Sequence, residues 1–158
     1  MKTLTYICLL SSLIAQTSFG AVDLPKSSFP VKESDQAIEK AIKDKKPVAY
    51  ILHDPKSTCP LSDDALEDYL KIIGKKCIIV EVSSKDKSRY TLCPKEVKDA
   101  LGKGRYIPKM VIVNPCDGSI IMNVLYEDRK KDQKKFSRDV KKAISEGTKK
   151  VAEDAKKS

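Results

Sequence analysis

Two of the five cysteines in this 158-residue sequence, Cys59 and Cys93, are each followed by a proline and then by a segment with helical apolar spacing. A thiol at the start of a helix faces backbone N–H groups that have no intrahelical partner and the positive end of the helix dipole. Both stabilise a thiolate, the nucleophilic form. Pro60 suits the first helical position because it has no N–H to leave unpaired. Asp63 and Asp64 act in the opposite sense, since carboxylates in a first turn favour the helix but disfavour a nearby thiolate. The chemistry on offer is attack of a cysteine on a disulfide, or oxidation of the cysteine itself. His53 is the only histidine, six residues before Cys59, and would serve as a base if the intervening loop folds back. A loop histidine paired with Asp54 or solvent is the simpler reading. The spacing of His53, Cys59 and Cys93 fits no zinc pattern, so neither a metal nor a cofactor is expected.

These residues follow a segment with the features of an export leader. Lys2 is the only charge in the first twenty residues, Leu4 to Ile14 is almost wholly apolar, and Ser18 and Gly20 are small residues preceding Ala21. The apolar stretch is shorter than the roughly 20 residues of a membrane span, and no later segment approaches that length. A soluble, exported chain, periplasmic or extracellular, is expected. Cys8 falls inside the leader without the small residues of a lipoprotein site, so no lipid anchor is expected. Cys59, Cys77, Cys93 and Cys116 remain, an even number in a compartment where disulfides persist.

Cleavage would remove Lys2, one of 31 basic residues, and none of the 22 acidic ones, so the net charge falls from +9 to +8. Much of the excess lies in Arg129 to Lys157, where 12 basic residues face 5 acidic ones. Such a stretch has the charge to meet an acidic partner, an anionic surface or nucleic acid. Nucleic acid is the poorest fit, because no aromatic residues interleave the lysines after Phe136 to stack on bases. A solvated lysine-rich helix face is the plainest reading.

The elements that must position the cysteines follow from periodicity. After a Ser/Pro/Lys-rich arm, with a short strand near Ser28 to Val31, Ser34 caps a helix with Ala37, Ile38, Ala41 and Ile42 on one face, ended by Pro47. Val48 to Leu52 is a strand buried on both faces. A loop, His53 to Thr58, leads to the helix opened by Cys59-Pro60 and stopped by Gly74. Cys77 to Val82 is the next strand and Ser83 to Ser88 a loop. A helix from Cys93-Pro94 runs through Leu101. Met110 to Val113 and Ile120 to Tyr126 form a hairpin about Asn114-Pro115-Cys116-Asp117-Gly118. An amphipathic helix from about Arg129 to Ser145 closes the chain, and beyond Gly147, where only Val151, Ala152 and Ala155 are available to bury, fraying or a loosely packed helix extension is expected. Strand-helix-strand units imply parallel pairing, and the hairpin adds an antiparallel pair. The expected fold is a mixed sheet with helices on both faces.

In this order the chain resembles the thioredoxin superfamily over roughly Ser34 to Ser145. Three features carry the resemblance: Ala41-Ile42-Lys43-Asp44-Lys45-Lys46-Pro47-Val48 as the helix-to-strand entry, Cys59-Pro60-Leu61-Ser62 opening a helix past the next strand, and Ile107-Pro108 before the hairpin. Ser62 replaces the second cysteine of the family's C-x-x-C motif, Thr58 stands where the family usually has tryptophan, and Val48 to Leu52 lacks the family's buried carboxylate. The resemblance implies an α/β, three-layer fold. With the segments read from composition, the organisation is leader 1–20, arm 21–33, thioredoxin-like domain 34–146 and lysine-rich tail 147–158. The resemblance further implies thiol-disulfide oxidoreductase or isomerase activity on protein thiols or disulfides. Cys59 would be the nucleophile beside Ser62, Cys93 a resolving thiol, and Pro108 a cis-proline shaping the substrate groove. Under the family topology Cys59 and Cys93 share one sheet edge, and Cys77 and Cys116 the other. That favours a Cys59–Cys93 bridge, either a staple stabilising by roughly 3–4 kcal/mol or a redox pair. Cys77–Cys116 would need to cross an intervening strand, which leaves a pair of unpaired buried thiols as the alternative. The alternative function is a non-catalytic binding module of the same fold, recruiting a partner through its groove or basic helix.

Overall fold

The structure, a computed structural model, describes residues 22–157. The expected leader, residues 1–20 with Cys8, lies outside the described residues. At the centre of the sheet is β2 (Val48–His53), whose six residues are all buried. It pairs in parallel with β3 (Ile78–Ser83), which pairs in parallel with the two-residue β1 (Phe29–Pro30). On its other side β2 pairs antiparallel with β4 (Lys109–Val113), which pairs antiparallel with β5 (Ile120–Val124), giving the order β1-β3-β2-β4-β5.

Strand alternation sorts the core into two layers. Val48, Tyr50, Leu52, Val80 and Val111 face α1 (Ser34–Asp44) and α4 (Lys95–Leu101), which contribute Ala37, Ala41, Val97 and Leu101. Ala49, Ile51, Ile79, Met110 and Ile112 face α2 (Pro60–Ile73) and α6 (Gln133–Asp154), which contribute Leu66, Tyr69, Ile73, Phe136, Val140 and Ile144. The expected mixed sheet with helices on both faces is observed.

The helix boundaries sharpen the sequence reading. Ser34 does not cap α1. It is the first helical residue, after a 3-10 turn at Val31–Glu33, and the helix ends at Lys45 with a left-handed φ of 53°. Gly74, at φ 47°, closes α2. A short α3 (Arg89–Leu92) precedes α4, and α5 (Tyr126–Lys131) precedes α6. Side-chain capping starts α6, with Asp132 accepting from the Lys135 N–H.

After Gly147 the chain does not fray but forms the expected helix extension, held more firmly than expected. Residues up to Asp154 continue α6, and Val151 is fully buried. Two long-range contacts hold this end: Asn114 Nδ2 donates to Asp154 Oδ2 at 2.8 Å, and Lys150 Nζ to Asp117 Oδ2 at 3.0 Å. Gly147 lets the helix approach β5, since a Cβ there would lie 2.6 Å from Ile121 Cδ1. No helix among the described residues is long and apolar enough to cross a membrane.

Candidate functional site

Because β2 and β3 are parallel and β4 runs against β2, the end of β2, the start of α2 and the entry to β4 meet at one sheet edge. Cys59 occupies the N-cap position of α2 in extended backbone, with Pro60 at the first helical position. Its carbonyl accepts from the N–H groups of Ser62 at 2.9 Å and Asp63 at 3.1 Å. Its own N–H is held by Ser57 Oγ at 3.2 Å. The thiol itself makes no capping bond and is exposed. The backbone around Cys59 is thus pinned while the sulfur stands open to solvent, an arrangement able to present a nucleophile to a macromolecular substrate.

The Ile107–Pro108 peptide bond is cis. Pro108 directly precedes β4, and the Pro108 carbonyl accepts from the Tyr69 hydroxyl of α2 at 3.4 Å. Tyr69 is fully buried and stacks on Phe136 of α6 at 5.7 Å, so one side chain ties α2, the β4 entry and α6 together. Burial pushes the Tyr69 phenol well above its ordinary range, keeping it a neutral donor. A second tie fixes α2 from its outer side, where Asp68 accepts from Arg129 Nη2 at 2.6 Å and from Gln133 Nε2 at 2.6 Å. Two large apolar side chains stay exposed at this edge, Leu61 beside Cys59 at 62 % and Tyr106 ahead of Pro108 at 51 %.

His53 differs from expectation. It is not a loop residue paired with Asp54 but the last residue of β2, only 3 % exposed. By alternation it belongs to the α2 face with Ala49 and Ile51, and its Nε2 lies 3.1 Å from Glu81 Oε1 on β3. Nδ1 is buried with no hydrogen-bond partner among the described residues. Sequence reasoning missed Glu81, whose only signal was its polarity within the apolar run Ile78 to Val82.

Cys93 also departs from its expected setting. Pro94, not Cys93, is the N-cap of α4, so Cys93 lies outside that helix. It is half-buried against the apolar cluster on the α1 and α4 face, where its charge would bear on the Tyr50 hydroxyl. Cys59 caps a helix on the other face. Cys59, Cys77 and Cys116 are free thiols, so the favoured Cys59–Cys93 bridge is not formed in the structure, and of the two readings for Cys77 and Cys116 the unpaired one is observed. Cys77 immediately precedes β3, and burial pushes its thiol up to about 12. Cys116 sits in the β4–β5 turn, raised by burial and by the nearby Asp154 and Asp117 carboxylates. Among the described residues no group of three or more His, Cys, Asp or Glu side chains is placed to hold a metal ion.

No protein-family model matches the chain, and no curated protein matches it significantly. Among solved structures it is similar to a disulphide isomerase from Xylella fastidiosa Temecula1, with a TM-score of 0.53 and 21% identity over 77% of this chain and 98% of the other. A structure described as DsbH oxidoreductase aligns with a TM-score of 0.45 and 15% identity over 80% of this chain and 92% of the other. The first likeness, with the mixed five-stranded sheet between helical layers, establishes a thioredoxin-like fold.

Proposed function

We propose that this protein is an exported thiol-disulfide oxidoreductase or isomerase in which Cys59 is the nucleophile. The observation that carries the reading is an exposed free thiol at the N-cap of α2, its backbone pinned by Ser57, Ser62 and Asp63. The name of the Xylella structure supports the same class. The exposed Leu61 and Tyr106 beside Cys59 and Pro108 supply apolar contacts for an unfolded polypeptide bearing the target disulfide. The leader-like residues 1–20 support export, which sequencing the N-terminus of the secreted protein tests.

In the proposed step the Cys59 thiolate attacks one sulfur of a substrate disulfide. A new S–S bond forms as the old one breaks, and the departing sulfur leaves as a thiolate that takes a proton from solvent. Ser62 cannot displace the substrate from this mixed disulfide. A second thiol must do so and restore the Cys59 thiolate: one on the substrate, which rearranges its disulfides without net oxidation, or two equivalents of a small external thiol, which reduce the substrate disulfide to two thiols and leave joined as the external disulfide. Cys93 is the internal candidate, and its packing on the opposite face of the sheet favours the substrate's own thiol instead.

The test is reactivation of a scrambled-disulfide protein. Cys59→Ser is expected to reduce the rate to background, and Cys93→Ser to leave it within about twofold. Background activity in the wild type would sink the enzyme reading and leave a thioredoxin-like binding module. Accumulation of a substrate-linked form in Cys93→Ser would make Cys93 the resolving thiol.

A further inference from the structure

At the end of the sheet opposite Cys59, three chain segments bring lysines together: the α1–β2 junction with Lys45 and Lys46, the α2–β3 turn with Lys75 and Lys76, and α6 with Lys149. They line an open groove of about 480 Å³ whose wall includes the buried Ile144. The six residues of β2 separate this end from the Cys59 edge by roughly 17 Å at about 3.3 Å per residue.

Among the described residues several lysines elsewhere have a carboxylate partner, and those that do not, such as Lys26, Lys87 and Lys103, are not among the residues gathered at this groove. Lys135 pairs with Asp139, Lys142 with Glu146, and Lys150 with Asp117. Among the described residues none of the five groove lysines has a carboxylate within 4.0 Å, and the one acid at the groove, Asp44, is bonded to Lys40 at 3.1 Å. Five ammonium groups gathered from distant parts of the sequence repel one another, and a complementary anion relieves that repulsion. The surface is concave and spans three separate chain segments. It therefore fits an extended chain carrying several carboxylates better than the flat face of an anionic bilayer.

We propose that this groove docks an acidic segment of a partner polypeptide. The docking is independent of Cys59, and it is formed by the two junctions with Lys149 rather than by the basic face of the last helix.

Fluorescence anisotropy of a labelled glutamate-rich peptide, titrated with the full chain, tests this. The variant Lys75→Gln/Lys76→Gln/Lys149→Gln changes only exposed side chains and is expected to weaken binding about tenfold. The variant Lys26→Gln/Lys87→Gln/Lys103→Gln removes the same charge from exposed sites elsewhere and is expected to change it less than about twofold. Equal losses in the two variants would mean attraction to net charge alone and would overturn the proposal, as would undiminished binding by the groove variant. Phosphatidylglycerol vesicles serve as the second probe. Binding of vesicles but not peptide, lost in the groove variant, would assign the groove to lipid and overturn the polypeptide occupant.

Discussion

Cys59 and Cys77 show how one residue type is given opposite characters by its surroundings. The first is an exposed helix cap, the second a thiol only 6 % exposed and raised to about 12 by burial. Brief iodoacetamide treatment of the native protein near pH 8 is expected to label Cys59 and spare Cys77, which should react only after unfolding. Peptide mass spectrometry reads this directly, and early labelling of Cys77 would contradict its burial. His53 presents the converse case, a buried side chain with an unpartnered Nδ1, an arrangement that costs on the order of 1–3 kcal/mol. It lies at the same sheet edge as Cys59, but its ring contacts Glu81. His53→Leu is therefore expected to leave the melting midpoint unchanged or higher and alkylation of Cys59 unaltered. A lowered midpoint would mean that the His53–Glu81 contact outweighs the unpartnered Nδ1.

At the scale of the element, the C-terminal half of α6 is clasped to the β4–β5 turn. Asn114 is fully buried, donating to Asp154 and accepting from the Cys116 N–H. Asn114→Ala is expected to destabilise by about 1–3 kcal/mol, measured by urea unfolding, because it leaves both partners unsatisfied. Gly147→Ala sets a small helix-propensity gain against a Cβ lying 2.6 Å from Ile121 Cδ1 and 3.1 Å from Cγ2. A net loss of about 1 kcal/mol is expected, relieved when Ile121→Val removes the nearer methyl. These contacts explain why the end of α6 was illegible in the sequence. Val151, Ala152 and Ala155 are too few to announce tight packing, and the residues that anchor this end are 30 to 40 positions away. By contrast β2 and α2 were legible because their signals are local: a continuous apolar run, Cys-Pro at one end and Gly74 at the other. His53 was lost at the boundary, since an apolar run stops at Leu52 whereas the ladder continues to the His53–Ser83 pair. Cys93 was misplaced because Cys-Pro reads alike whether the cysteine or the proline is the cap.

Across the whole molecule, the two core layers bury groups that must remain protonated. Burial raises Cys77 from 9.0 to about 12 and Tyr50 from 10.0 to about 12, and raises Tyr69 as well. The folded state therefore holds protons that the unfolded chain releases first. Stability is fully present below about pH 9 and falls as pH rises toward 12. Thermal midpoints across that window are expected to drop, and Cys77→Ala should blunt the early part of the fall. A flat profile to pH 11 would contradict the burial of these groups.

The serine at position 62 gives the proposed chemistry a record. With no neighbouring sulfur to cut the link, every productive encounter leaves the partner covalently attached until another thiol arrives. The unmodified protein is then its own bait. Acid quenching of cells followed by alkylation would preserve whatever Cys59 was holding, and a second gel dimension run under reducing conditions would release those partners as spots off the diagonal.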